Sequence, residues 1–83
     1  MESKRPLWIP VTPAALRFSE QRAWTFTDRR TIVRVALLKS GSWFASSTWI
    51  AGSWTGGPAV GMLEALNMAR GAGLTVPAEG PSV

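Results

Sequence analysis

Arg34 stands inside the apolar run Ile32-Val33-Arg34-Val35-Ala36-Leu37-Leu38, and tryptophans follow at positions 43, 49 and 54. A guanidinium over an indole face is attractive by about 0.5–2 kcal/mol. Arginine and tryptophan together can hold a nucleobase, a phosphate or an apolar patch of a partner protein. The same pair can also be a structural cation–π contact on a solvated sheet. The chain has five tryptophans in 83 residues. A domain of that size can hardly bury five such rings completely, so one or two are expected at the surface as anchors. Arg34, Trp43, Trp49 and Trp54 are therefore the candidate partner-binding residues.

The charge pattern offers an alternative. Nine Lys and Arg against five Asp and Glu give +4. Residues 1–42 hold eight basic and three acidic residues, a net +5, while residues 43–83 hold one basic and two acidic residues, a net −1. An anionic partner would meet the first half, and Arg17, Arg22, Arg29, Arg30 and Arg34 are the candidate nucleic-acid footprint. Asp28-Arg29-Arg30 reads either as a charged turn or as a phosphate-contacting pair. A charge of this size also serves plain solubility.

Catalysis finds no foothold. Histidine and cysteine are both absent. Their absence removes the commonest general base and metal ligand, and every Ser-His or Cys-His nucleophile. Glu20, Asp28 and Glu64 are far apart in sequence, and Ser40, Ser42, Ser46, Ser47 and Ser53 have no evident base other than Lys39. Gly56-Gly57-Pro58 could offer backbone N–H groups to an anion. Pro58 has no N–H, however, and no Walker lysine follows, so the segment reads as a turn. The chain is expected to be a non-enzyme with no catalytic, cofactor-binding or metal-binding residue.

The elements that must position Arg34 and the tryptophans follow from periodicity. Thr31–Lys39 is β-branched and reads as a strand, Ser40-Gly41 as a two-residue turn, and Ser42–Ile50 as the returning strand. That turn sets Leu38 opposite Trp43. Val33, Val35, Leu37, Phe44 and Ile50 then form a core face. Ile32, Arg34, Ala36, Leu38, Trp43, Ala45 and Trp49 form the opposite one, with Arg34 diagonal to Trp49. Leu7–Val11 looks extended. Ala14–Phe26 is ambiguous: Thr12-Pro13 would suit a helix start, but the alternation of Leu16 with Phe18 and of Trp24 with Phe26 favours two short strands turning through Ser19–Arg22. Pro58–Arg70 carries Ala59, Met62, Leu63, Leu66 and Ala69 at helical spacing and is expected to pack through Met62, Leu63 and Leu66. Gly71 and Gly73 supply its end, with Leu74 packing back.

The expected fold is α+β: an antiparallel sheet of three to four strands with one C-terminal helix on one face. A single small domain spans 1–83, with an ordered core of about 7–74, a frayed start at 1–5 and a loose tail at 77–83. No run approaches the ~20 apolar residues of a spanning helix, and Pro6, Pro10 and Pro13 spoil a signal-peptide core. A cytoplasmic protein without a membrane partner is expected.

The sheet-then-helix order of residues 31–71 resembles integrase arm-binding domains, and double-stranded-RNA-binding domains without their first helix. In size and tryptophan content the chain looks like phage-encoded inhibitors, anti-CRISPR proteins among them. Two readings follow. One is a small binding module that modulates or inhibits a larger protein or nucleoprotein machine by occupying its surface. The other is a basic nucleic-acid-binding domain using arginine and tryptophan. A second copy of the chain is a further expected partner, because one helix leaves the face with Ile32, Leu38, Trp43 and Trp49 uncovered.

Overall fold

In a computed structural model that describes residues 8–82, five strands form one antiparallel meander. They are β1 (Ile9–Pro10), β2 (Glu20–Asp28), β3 (Thr31–Leu38), β4 (Trp43–Trp49) and β5 (Gly52–Thr55), neighbours in space in the order they have in sequence. A 3-10 turn at Pro13–Ala15 joins β1 to β2, and one helix, α1 (Met62–Gly71), follows the sheet. The α+β class and the single helix are as expected, but the sheet has five strands rather than three to four. The extra strands come from short pieces: a two-residue β1 and a four-residue β5. The frayed start expected at 1–5 lies outside the described residues.

The turn between β3 and β4 departs from expectation, with large consequences. Leu38 pairs with Ser42, the Leu38 N–H donating to the Ser42 carbonyl at 2.8 Å, and the Gly41 N–H donates to the Leu38 carbonyl at 2.9 Å. The loop is therefore Lys39-Ser40-Gly41, three residues long, with Gly41 at φ +96°. Glycine alone reaches that angle without strain, and it lets a three-residue loop close where a two-residue one was expected. The register moves by one: Leu37 faces Trp43, Val35 faces Ala45 and Arg34 faces Ser46. A shift of one residue turns every side chain of β4 to the other face. Trp43, Ala45 and Trp49 thus join Val33, Val35 and Leu37, and Phe44, Ser46 and Thr48 join Ile32 and Arg34.

The inner face is the core. Trp8, Trp24, Val33, Val35 and Ala45 pack against Ala59, Ala65 and Leu66, with Phe26, Trp43, Trp54, Met62, Met68 and Val76 around them. Trp24 and Trp43 stack across β3 at 5.9 Å and 15°. Large rings on the sheet meet small residues on α1, so sheet and helix approach closely. The helix buries Ala65, Leu66 and Ala69, while Leu63, expected to pack, is 61% exposed. The helix begins later than expected. Ala59 is held by Trp43 through two backbone hydrogen bonds, which extends the sheet over the segment taken for the first helical turn. The end is as expected: Gly73 takes φ +93°, and the Leu74 N–H returns to the Ala69 carbonyl at 3.0 Å.

Residues 14–26 are not two short strands. β2 is one strand with a bulge between Glu20 and Arg22, and the residue before it is tied to the loop after β3 by the Lys39 N–H donating to the Ser19 carbonyl. The segment after Pro77, expected to be a loose tail, returns to the core. The Trp8 indole donates to the Glu79 carbonyl at 3.0 Å, and Pro81 is buried. Gly80 lies so close to Met62 and Leu66 that an added Cβ would meet them at 2.9–3.1 Å.

Candidate functional site

The outer sheet face is the side that α1 leaves open. The cross-strand register builds it in rows: Ile9, Thr25, Arg34, Ser46 and Thr55 form one, and Thr27, Ile32, Thr48 and Ser53 form the next. The pattern Thr-x-Thr on β2, Ser-x-Thr on β4 and Ser-x-Thr on β5 sends six hydroxyls to one side, because alternate residues of a strand share a face. Between them lie Ile32, 44% exposed, and Arg34. A shallow cleft of about 120 Å³ opens there, lined by Arg17, Thr25, Ile32, Arg34, Ser46, Ser47 and Thr48.

Arg34 is fixed by Glu20. Its Nε donates to Glu20 Oε2 at 2.9 Å, and its Nη2 to Glu20 Oε1. This side-on, two-pronged geometry is the strongest form of carboxylate recognition by arginine. The Arg17 N–H also donates to Glu20 Oε1 at 2.8 Å, and Arg34 Nη2 reaches the Ala15 carbonyl at 3.4 Å. Burial works to raise the Glu20 pKa, but the hydrogen bonds from Arg34 and Arg17 and the nearby positive charge outweigh it and hold the carboxyl below its ordinary value. The Arg34 pKa is raised, first by its hydrogen bonds to Glu20. Glu20 itself is buried, and the pair's guanidinium end is the part that reaches solvent.

Among the expected partner-binding residues, only Arg34 stands in this face. Trp43 and Trp54 pack around the core, and Trp49, 37% exposed, lies at the rim of the inner side. No Arg34–Trp49 platform exists, since the two point to opposite faces. Glu20, rather than a tryptophan, is the group that orients Arg34. Glu20 and the hydroxyl pattern were missed as site features. The Thr-x-Thr spacing was readable on β2, but its neighbours on β4 join it only in the observed register.

The arginines do not form one stripe. Arg17 and Arg34 share the outer cleft. Arg22 lies over the inner-face Trp24 ring at 5.2 Å. Arg29 and Arg30 form the β2–β3 turn, where Arg29 takes φ +59°. Lys39, in the loop at the far end of β3, lies over Phe18 at 5.0 Å. Among the described residues no group of three or more potential ligands could hold a metal ion, and no helix is long and apolar enough to cross a membrane. Compared with known families, curated proteins and solved structures, the chain matches none of them.

Proposed function

We propose that the chain is a non-enzymatic binding module that docks through its outer sheet face onto a larger protein machine and modulates or inhibits it. The observation that carries this reading is the open face itself. It presents a guanidinium locked in place by a buried carboxylate, ringed by hydroxyls and two isoleucines. Such a face suits a protein surface with a carboxylate or backbone carbonyl for Arg34 and apolar contact for Ile9 and Ile32. Prior locking of Arg34 lowers the ordering cost of binding.

The nucleic-acid reading is second. Its arginines point in several directions, and neither Phe18, exposed beneath Lys39, nor half-buried Phe44 lines the cleft that Arg17 and Arg34 share, where a base would have to stack. The test is a photo-crosslinking residue at Thr48, with a second at Asn67 on the exposed side of α1 as control, in lysate of the organism that encodes the chain. A nuclease-resistant protein adduct from position 48 alone, lost in Ile32→Glu, is the expected result. Gel shifts with duplex and single-stranded DNA and RNA at low salt should stay blank at micromolar protein. A shift that falls steeply with salt and needs Arg17 would replace the protein reading by the nucleic-acid one.

A further inference from the structure

The two edges of the sheet are unlike. β1 is two residues long and contains Pro10, which has no N–H to donate; edges are commonly blunted in this way. β5 carries no proline, no charge and no bulge. The Gly56 N–H donates to the Ala45 carbonyl at 2.9 Å, which makes 45 and 56 a hydrogen-bonded pair. Such pairs alternate along an antiparallel ladder, so 47 with 54 and 49 with 52 are also bonded. Ser53 and Thr55 therefore turn their N–H and C=O groups away from β4, toward the free side. Between them Trp54 sends its ring to the inner face, where it is half-buried, and Trp49 is 37% exposed beside Gly52.

We propose that β5 pairs antiparallel with β5 of a second copy, about a two-fold axis at Trp54. Ser53 of each copy then exchanges hydrogen bonds with Thr55 of the other, and the two Trp54 residues face each other as a non-hydrogen-bonded pair. Their side chains come closest in that kind of pair, and aromatic partners are favoured there. Among two-fold registers this one alone pairs both outward residues of β5, which lie at equal distance on either side of Trp54. Charge points to the same occupant. The chain carries +4, yet no charged residue lies between Lys39 and Glu64. Two copies can meet at β5 without bringing like charges together, whereas an oppositely charged partner would gain nothing there. The contact leaves the outer faces of both copies open and side by side, so it is independent of the binding reading above.

The test is the mass of the full chain by light scattering from micromolar to millimolar concentration, with amide exchange measured at both ends. We expect a concentration-dependent rise from 9.0 kDa towards twice that value, with slower exchange at the Ser53 and Thr55 amides in concentrated samples. Thr55→Pro removes an outward N–H without touching the β4–β5 ladder and should return the mass to 9.0 kDa with the helix signal unchanged. A mass of 9.0 kDa throughout for the unaltered chain overturns the proposal. So does a dimer that folded Thr55→Pro leaves intact. If that variant fails to fold, the amide exchange decides: equal rates for Ser53 and Thr55 at both concentrations place any dimer elsewhere.

Discussion

The two faces of the sheet are built from the same strands yet obey different chemistry. The inner face sets Trp24, Trp43 and Trp8 against alanines of α1 and the Ala59 segment, and its strength is area removed from water. The outer face buries little beyond Ala23 and Ala36, and its order rests on the Glu20–Arg34 pair and the chain that crosses from Val11 to Ser19. A small domain that invests its large rings on one side is left with polar side chains for the other. Under the proposed reading, recognition falls to the face with the weaker packing.

The largest expected contrast comes from Leu66, fully buried beneath the sheet. Leu66→Ala should cost about 3–4 kcal/mol in urea unfolding, a large part of the stability of a small domain. A loss below about 1 kcal/mol would mean that α1 does not close the inner face.

Next is the ion pair. Glu20→Gln should cost about 3 kcal/mol, since it leaves Arg34 without its carboxylate; the double variant Glu20→Gln with Arg34→Met should recover part of the loss. The pH dependence follows from the sign of the shift. Glu20 has a folded pKa below its ordinary 4.5. Its contribution is thus complete above about that pH and is lost as pH falls through the lower folded value. Unfolding midpoints in acid should fall more steeply for the unaltered chain than for Glu20→Gln, and parallel curves would remove the pair from the stability of the outer face.

Ser47 tests the inner face from the polar side. It is opposite Val33 and Trp54, 2% exposed, and its hydroxyl has no hydrogen-bond partner among the described residues. An unsatisfied buried hydroxyl is costly, so Ser47→Ala should raise stability by about 1 kcal/mol. A loss of that size would show that the hydroxyl is satisfied after all. The smallest effect belongs to Ile32. Ile32→Thr on the exposed outer face should change stability by no more than about 0.5 kcal/mol, while weakening capture of the partner. A stability loss like that of Leu66→Ala would erase the distinction between the faces.

The sequence by itself determined the strand over Thr31–Leu38, the returning strand after it, a helix containing Leu66 with its stop at Gly73, and the α+β class. These are local matters: β-branched runs, helical spacing and a glycine at positive φ act over a few residues. It also left no histidine or cysteine for chemistry, whatever the fold. Only the tertiary structure decided which side the tryptophans take. One residue more in the Lys39-Ser40-Gly41 loop moved Trp43 and Trp49 to the inner face and left Arg34 among hydroxyls. Likewise, nothing local marks Glu20 as the partner of Arg34, since the two meet only because β2 pairs with β3 in one register. Alternation along a strand fixes which residues share a face, but pairing between strands fixes which face is buried, and that is settled by the packing of the whole chain.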